Sequence, residues 1–365
     1  MPEGRVAGRP EETAGGALED VLRAAVPGVA SAAAALVAVD GDVVASAAVG
    51  EAARYGDAAE TLLEDRPPAG PGSVFDIASL TKLFTTVVLL SLAEEGRADL
   101  DGPVAAWLPA HYGHRPEITL RHLLTHASGL PPGRRVEGEP PDSRWDLILS
   151  TPASGPRGAH VYSDVGLITA GRVAEEAGGA PLDLLVRERV TGPLGMADTL
   201  FRPGPGLLPR IVATEFKPGR GCVRGEVHDE TAHALGGVAG HAGLFSTTAD
   251  LLRFGEMLRT GGAGVLAPES VREMLRDQGV PGASFRQGLG VRIGDPAIVG
   301  PLHDAFGHSG FTGTSLVVDP GRRLTIVLLT NNVHPLRGRP GIRDLRTAVA
   351  AEGARLAHGR GRAPM

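Results

Sequence analysis

Phe75-Asp76-Ile77-Ala78-Ser79-Leu80-Thr81-Lys82-Leu83-Phe84-Thr85-Thr86-Val87-Val88-Leu89-Leu90 is a long apolar run with a serine near its start and a lysine three residues later. Its length and composition predict a buried helix that ends near Gly96. Positions three apart share one helix face, so the Lys82 side chain can reach the Ser79 hydroxyl. The Ser79 N–H lies at the helix start, where partial positive charge favours an oxyanion. A hydroxyl, an amine within reach and an anion-stabilising N–H are the parts of an activated nucleophile.

Serine and lysine at this spacing often occur by chance, and composition sharpens the reading. The chain has only two lysines, Lys82 and Lys217; every other long basic side chain is arginine. Lysine can lose its proton when desolvated, whereas arginine effectively cannot. Lys82 has apolar neighbours and no acid within a turn towards the C-terminus. A site that needs a neutral amine as proton acceptor explains this choice. The plain alternative is a lysine snorkelling from a core helix.

At 365 residues the chain can bury one sizeable core. Its net charge of −6, with no long single-sign run, excludes the basic footprint of a nucleic-acid binder. Arg134-Arg135 and Arg322-Arg323 read as loop or turn charges. No stretch approaches the ~18 apolar residues of a membrane span. Met1-Pro2-Glu3-Gly4-Arg5 leads into acidic, Gly-rich sequence rather than an apolar signal core. A cytoplasmic protein with no membrane partner is therefore expected. The single Cys222 excludes an intramolecular disulfide and agrees with a reducing compartment.

Residues 1–10 read as a disordered tail, and Glu11 to Val26 as an amphipathic helix stopped by Pro27-Gly28. Two strands, Ala33 to Asp40 and Val43 to Gly50, flank a tight turn. After the Ser79 helix come mostly helical segments. Thr119 caps one helix, Tyr162-Ser163-Asp164 introduces another, Pro181 starts a third, and Thr247-Thr248-Ala249-Asp250 resembles a capping box. Three late strand candidates are Gly288–Ile293, Thr314–Asp319 and Leu324–Thr330, and Ile342 to Leu356 is a closing helix. This order predicts one antiparallel sheet from strands at both ends, with terminal helices packed on it. The sheet lobe covers about 11–75 and 280–357, and a helical lobe covers about 76–279, within one catalytic domain. Ser79 falls at the junction, a common place for a site.

Two further stretches carry chemistry. A tyrosine near an amine, Tyr162, can act as a base. Gly307-His308-Ser309-Gly310-Phe311-Thr312-Gly313 has the glycines that let a substrate approach strand backbone closely. Together with Ser79-x-x-Lys82, these stretches resemble the serine β-lactamase and penicillin-binding-protein superfamily, in its branch of class C-like esterases, DD-peptidases and amidases. His122-Leu123-Leu124-Thr125-His126-Ala127-Ser128-Gly129-Leu130 is similar to a further stretch of that family. The resemblance runs from about Val29 to Asn332. It implies a β-lactamase-like α/β fold of the α+β type, with a five-stranded antiparallel sheet. It also implies that Ser79 attacks the carbonyl, that Lys82 and Tyr162 share proton transfer, and that the Ser79 and Phe311 N–H groups form the oxyanion hole. Asp164, His308, Ser309 and Gly310 face the substrate by the same resemblance.

Two positions depart from the commoner pattern. Asp164 stands for an asparagine, and so only accepts hydrogen bonds. His308 stands for a lysine. Both point away from efficient β-lactam hydrolysis. Gly225 to Ser246 looks like a segment of amidases acting on N-acetylmuramoyl-peptides, a branch that also uses Tyr-Ser-Asp. That segment holds His228, Asp229, His233 and His241, but their spacing matches no zinc pattern, so no metal or other cofactor is expected. Asp229 and His241 read as substrate-binding groups on a cleft loop, with structural hydrogen bonding as the alternative. The expectation is a serine hydrolase acting on a small-molecule or peptide amide or ester. An acyltransferase or peptide cyclase, and a non-catalytic peptide or cell-wall-fragment binding module, are the alternatives. No G-x-S-x-G elbow, Walker loop or dinucleotide fingerprint is present.

Overall fold

The computed structural model describes residues 14–360. The expected tail, residues 1–10, and the first residues of the predicted N-terminal helix lie outside the described residues. Strands β1 (Ala32–Val39) and β2 (Asp42–Gly50) form a hairpin. Its turn, Asp40-Gly41, has φ of 57° and 84°, the paired left-handed conformation that matches strand twist. Strands β3 (Arg286–Gln287), β4 (Arg292–Ile293), β5 (Phe306–Ser309), β6 (Ser315–Asp319) and β7 (Leu324–Thr330) complete a sheet of order β2-β1-β7-β6-β5-β4-β3. β1 lies antiparallel to β7, with Ala33 opposite Thr330 and Val39 opposite Leu324. The early hairpin therefore joins the late strands, as the element order predicts.

The sheet has seven strands rather than five, because two two-residue strands extend its far edge. The predicted strand Gly288–Ile293 is broken: Gly290 has φ 65°, and only Arg286–Gln287 and Arg292–Ile293 pair. Phe306–Ser309 is absent from the strands expected from propensity, although the family resemblance places His308 on a strand. It is short and carries a glycine and a histidine, so strand propensity does not reveal it.

β1 and β7 are buried along their whole length, as expected of strands covered on both faces. Helices α1 (Ala14–Ala25) and α5 (Ile342–Arg360) cover one face. On the other face lie α2 (Thr81–Glu94) and α4 (Thr248–Arg259), where Phe84 stacks on Phe254 with ring centroids 4.2 Å apart. Helix α3 (Asp164–Gly178) packs on α2 and ends at Gly179 in the left-handed conformation, a common helix stop. α2 is buried from Thr81 to Leu92, so its opening turn sits deep in the molecule, against the end of β5.

Candidate active site

Ser79 lies in a single 3-10 turn, Ala78–Leu80, that runs directly into α2. Ala78 has φ 47°, a conformation costing on the order of 1–2 kcal/mol for a residue with a Cβ. Asp76 holds this turn: its carboxylate accepts the Ala78 N–H at 2.8 Å and the His228 N–H at 2.7 Å. Thr312 and Thr314 hydroxyls donate to the Asp76 and Ile77 carbonyls at 2.8 and 3.1 Å. The segment after β5 is thereby tied to the Ser79 turn. Gly310 is required there, because a Cβ would lie 2.2 Å from Thr314 Oγ1 and 2.5 Å from the Ile77 carbonyl oxygen.

Lys82 Nζ donates to Ser79 Oγ at 2.7 Å, and Tyr162 Oη donates to the same oxygen at 3.0 Å. Lys82 also donates to the His241 carbonyl at 3.2 Å and lies 2.8 Å from Asp164 Oδ1. The Asp164 contact is a charge pair off the alignment of a hydrogen bond. Burial disfavours the Lys82 charge, but Asp164 and Tyr162 outweigh it and hold the amine above the ordinary lysine value. This corrects the sequence reading of Lys82 as a neutral acceptor. The acid it seemed to lack comes from the first turn of α3. Lys82 rests as an ammonium, and the Tyr162 oxygen is the remaining partner of Ser79.

The His122–Leu130 stretch positions Tyr162. Buried His126 takes φ 57°, its Nδ1 accepts the Ser163 N–H at 3.1 Å, and its carbonyl accepts the Val161 N–H at 2.8 Å. Burial pushes His126 well below the ordinary histidine value, so its ring is neutral and able to accept. Arg292 lies 4.9 Å from the Tyr162 ring centroid, as does Lys82 Nζ.

His308, on β5, is buried and well below its ordinary value, first through burial and then through Arg292 and Lys82. Its Nδ1–H donates to the Ser309 carbonyl at 2.8 Å, which leaves Nε2 as a lone pair without a partner among the described residues. β4 pairs with Phe306 and Gly307 alone; Ser309 lines the cleft, whereas His308, expected to face the substrate, is buried outside its lining. Phe311 is 59% exposed at the cleft lip. Among the described residues, neither the Ser79 nor the Phe311 N–H has a backbone acceptor.

The cleft holds about 600 Å³ and is lined by Ser79, Tyr162, Asp164, Asp229, Ser309 and Gly310, among others. Asp229 caps the short helix Glu230–Ala234 and accepts from His241 Nε2 at 2.9 Å. Burial opposes the Asp229 charge, but His241 and the Ala232 N–H overcome it and hold the carboxyl below its usual range. His241 is buried behind Asp229, which leaves Asp229 as the member of the pair on the cleft wall. Oxygens of Asp164 and Asp229 and a ring nitrogen of His241 lie within 4.8 Å of one another. Lys82 already supplies a cation to Asp164 there.

The model of the family described as beta-lactamase matches residues 17–351. The chain belongs to the beta-lactamase family. It is 33% identical, over 343 aligned positions, to a protein of Escherichia coli K12 named putative D-alanyl-D-alanine carboxypeptidase, covering 82% of this chain and 78% of that one. Among solved structures, it resembles EstCE1, a hydrolase with promiscuous acyltransferase activity, at TM-score 0.72 and 23% identity, covering 92% of this chain and 99% of that one. A penicillin-binding-protein homologue from Caulobacter crescentus superposes at TM-score 0.72 and 20% identity, covering 96% and 99%. The family match and the curated relative make the chain a serine hydrolase of the beta-lactamase family. No described helix is long and apolar enough to cross a membrane.

Reading the sequence missed several cleft groups. Arg292, Arg337 and Arg346 all line the cleft. Arg346 is lowered to about 10, chiefly by burial, and donates to the Gly310 and Thr314 carbonyls. In a chain rich in arginine, nothing local marks these three. Asp76 carried no signal either, since its role is made by backbone groups remote in sequence.

Proposed function

We propose that the chain is a serine amidase or esterase that forms an acyl-enzyme on Ser79. The observation that carries this reading is the approach of Lys82 Nζ and Tyr162 Oη to one Ser79 oxygen, at 2.7 and 3.0 Å. Ser79 Oγ bonds the carbonyl carbon, and its proton passes through Tyr162 to the leaving nitrogen or oxygen. Negative charge arriving on the phenol oxygen meets Lys82 and Arg292. The Ser79 and Phe311 N–H groups receive the oxyanion, a role worth ~3–4 kcal/mol per donor. Water then cleaves the acyl ester.

A peptide amide of the muropeptide type fits the cleft. Arg292 and Arg346 each keep a buried Nε without a partner among the described residues, suited to a substrate carboxylate. Asp229 accepts the polar end of the substrate. With His308 in place of a lysine and Asp164 in place of an asparagine, nitrocefin turnover should be far below that of the best amide or ester. Acyl transfer to an amine uses the same acyl-enzyme and is the second reading.

A fluorophosphonate probe followed by mass spectrometry tests the centre. Labelling should occur at Ser79 and vanish in Ser79→Ala, with turnover lost. Labelling at another serine would overturn the assignment.

A further inference from the structure

A second basin adjoins the cleft. It holds about 1070 Å³ and shares Glu230 and Arg337 with the cleft as a common wall. Arg337 is fixed there: it bonds both Glu215 oxygens and Glu230, and its guanidinium lies 5.4 Å from the Phe311 ring centroid. Arg134, Arg135, Lys217 and Arg220 also line the basin. Five cations thus face three carboxylates, Glu137, Glu215 and Glu230, in a chain whose net charge is −6. Local charge runs against the whole.

The pairing is uneven. Lys217 meets Glu230 at 2.7 Å, Arg220 meets Glu226 at 3.2 Å, and Arg337 meets Glu215 and Glu230. Among the described residues, the guanidinium groups of Arg134 and Arg135 have no partner. Their loop is nonetheless held in place. Thr231 donates to the Arg134 carbonyl at 3.3 Å, and Arg144 donates to the Glu139 carbonyl at 2.9 Å. Two unpaired cations on an anchored loop, facing a cavity that adjoins the cleft of the reacting serine, have the properties of an anion subsite.

We infer that this basin binds the acidic, carboxylate-bearing arm of a peptide whose amide reacts at Ser79. This rests on the reading of Ser79 as nucleophile. Cations spread around the basin, interleaved with glutamates, suit single charges spaced along a chain better than one compact dianion. The arm passes the lip formed by Phe311 and Arg337.

Binding to the Ser79→Ala protein tests the basin without chemistry. The probes are a fluorescein-labelled peptide with three glutamates and its glutamine counterpart. The acidic probe should bind about tenfold more tightly, and Arg134→Glu/Arg135→Glu should abolish that preference. Circular dichroism checks the fold, and Arg134→Gln/Arg135→Gln serves if charge reversal disturbs the loop. Equal binding of both probes, or a preference that survives both double variants, overturns the proposal. So does displacement of the acidic probe by an equal concentration of inorganic phosphate, which would make the basin a general anion site. Failure of fluorophosphonate labelling at Ser79 would instead overturn the nucleophile and leave the binding result standing.

Discussion

The surroundings of the two lysines differ in one respect that decides what each can do. Both side chains are nearly or fully buried, and both meet a carboxylate, Lys82 at 2.8 Å from Asp164 and Lys217 at 2.7 Å from Glu230. Yet Lys82 is held above the ordinary lysine value and Lys217 below it. Burial acts against the charge in both. At Lys82 an acid and a phenol oppose burial. At Lys217, Glu230 opposes it but Arg337 adds to it. Their partners also differ: Lys82 donates to a serine hydroxyl, whereas Lys217 donates to the His228 carbonyl. Scarcity of lysine marks both positions equally. Only the neighbour that receives the hydrogen bond separates a reacting site from a wall of the basin.

Replacing each lysine sharpens this contrast. Lys82→Arg keeps the charge but changes the shape of the buried donor. Acylation should fall by ~10², the loss typical of a group misplaced at the reacting centre. Stopped-flow acylation of the folded variant would measure it, and a change within a few-fold would show that the charge is needed there but not its exact placement.

Asp164→Asn should have the next largest effect. It removes the main charge that opposes burial, so Lys82 falls towards neutrality. Activity should drop roughly tenfold or more near neutral pH, with the pH–rate profile shifted. An unchanged profile would show that Asp164 does not set the Lys82 charge.

Lys217→Met should leave acylation within a few-fold while lowering the melting temperature. It strands the His228 carbonyl, at a cost of about 1–3 kcal/mol. A kinetic loss as large as that of Lys82→Arg would erase the distinction between the two lysines.

The smallest expected effect concerns pH. His126 and His308 are held neutral by burial, while histidines of the unfolded chain protonate below about pH 6.5. Their contribution is fully present above that pH and is lost as pH falls towards the depressed folded values, because the unfolded state takes up protons first. Glu215, held at about 2 by His228 and Arg337 against burial, extends the loss below its ordinary value of 4.5. Melting temperature should therefore fall steadily from pH 7 to pH 4. A flat profile would mean that these rings are not buried neutral.

Much of the site was legible because its first parts are local. Ser79 and Lys82 meet through helix geometry alone. Thr119 and Thr247 cap their helices as their positions predict. The Asp40-Gly41 turn sets the first hairpin. Propensity did not mark Phe306–Ser309 as a strand, though the family resemblance placed His308 on one, because pairing with β6 makes it a strand. The Gly236–Gly243 stretch was legible as a place of close approach. A Cβ on Gly240 would lie 2.1 Å from the Leu167 carbonyl oxygen, so there the close approach is backbone to backbone.

By itself, the sequence determined the hydroxyl–amine pair, the tyrosine that opens α3 and the joining of early and late strands, since helix periodicity, caps and strand order act over short range or through element order. Only the tertiary structure decided the charge state of Lys82, the neutral acceptor role of His126 and the convergence of Arg292, Arg337 and Arg346. Those properties depend on distances of 3–6 Å between groups far apart in sequence, and no local pattern encodes such distances.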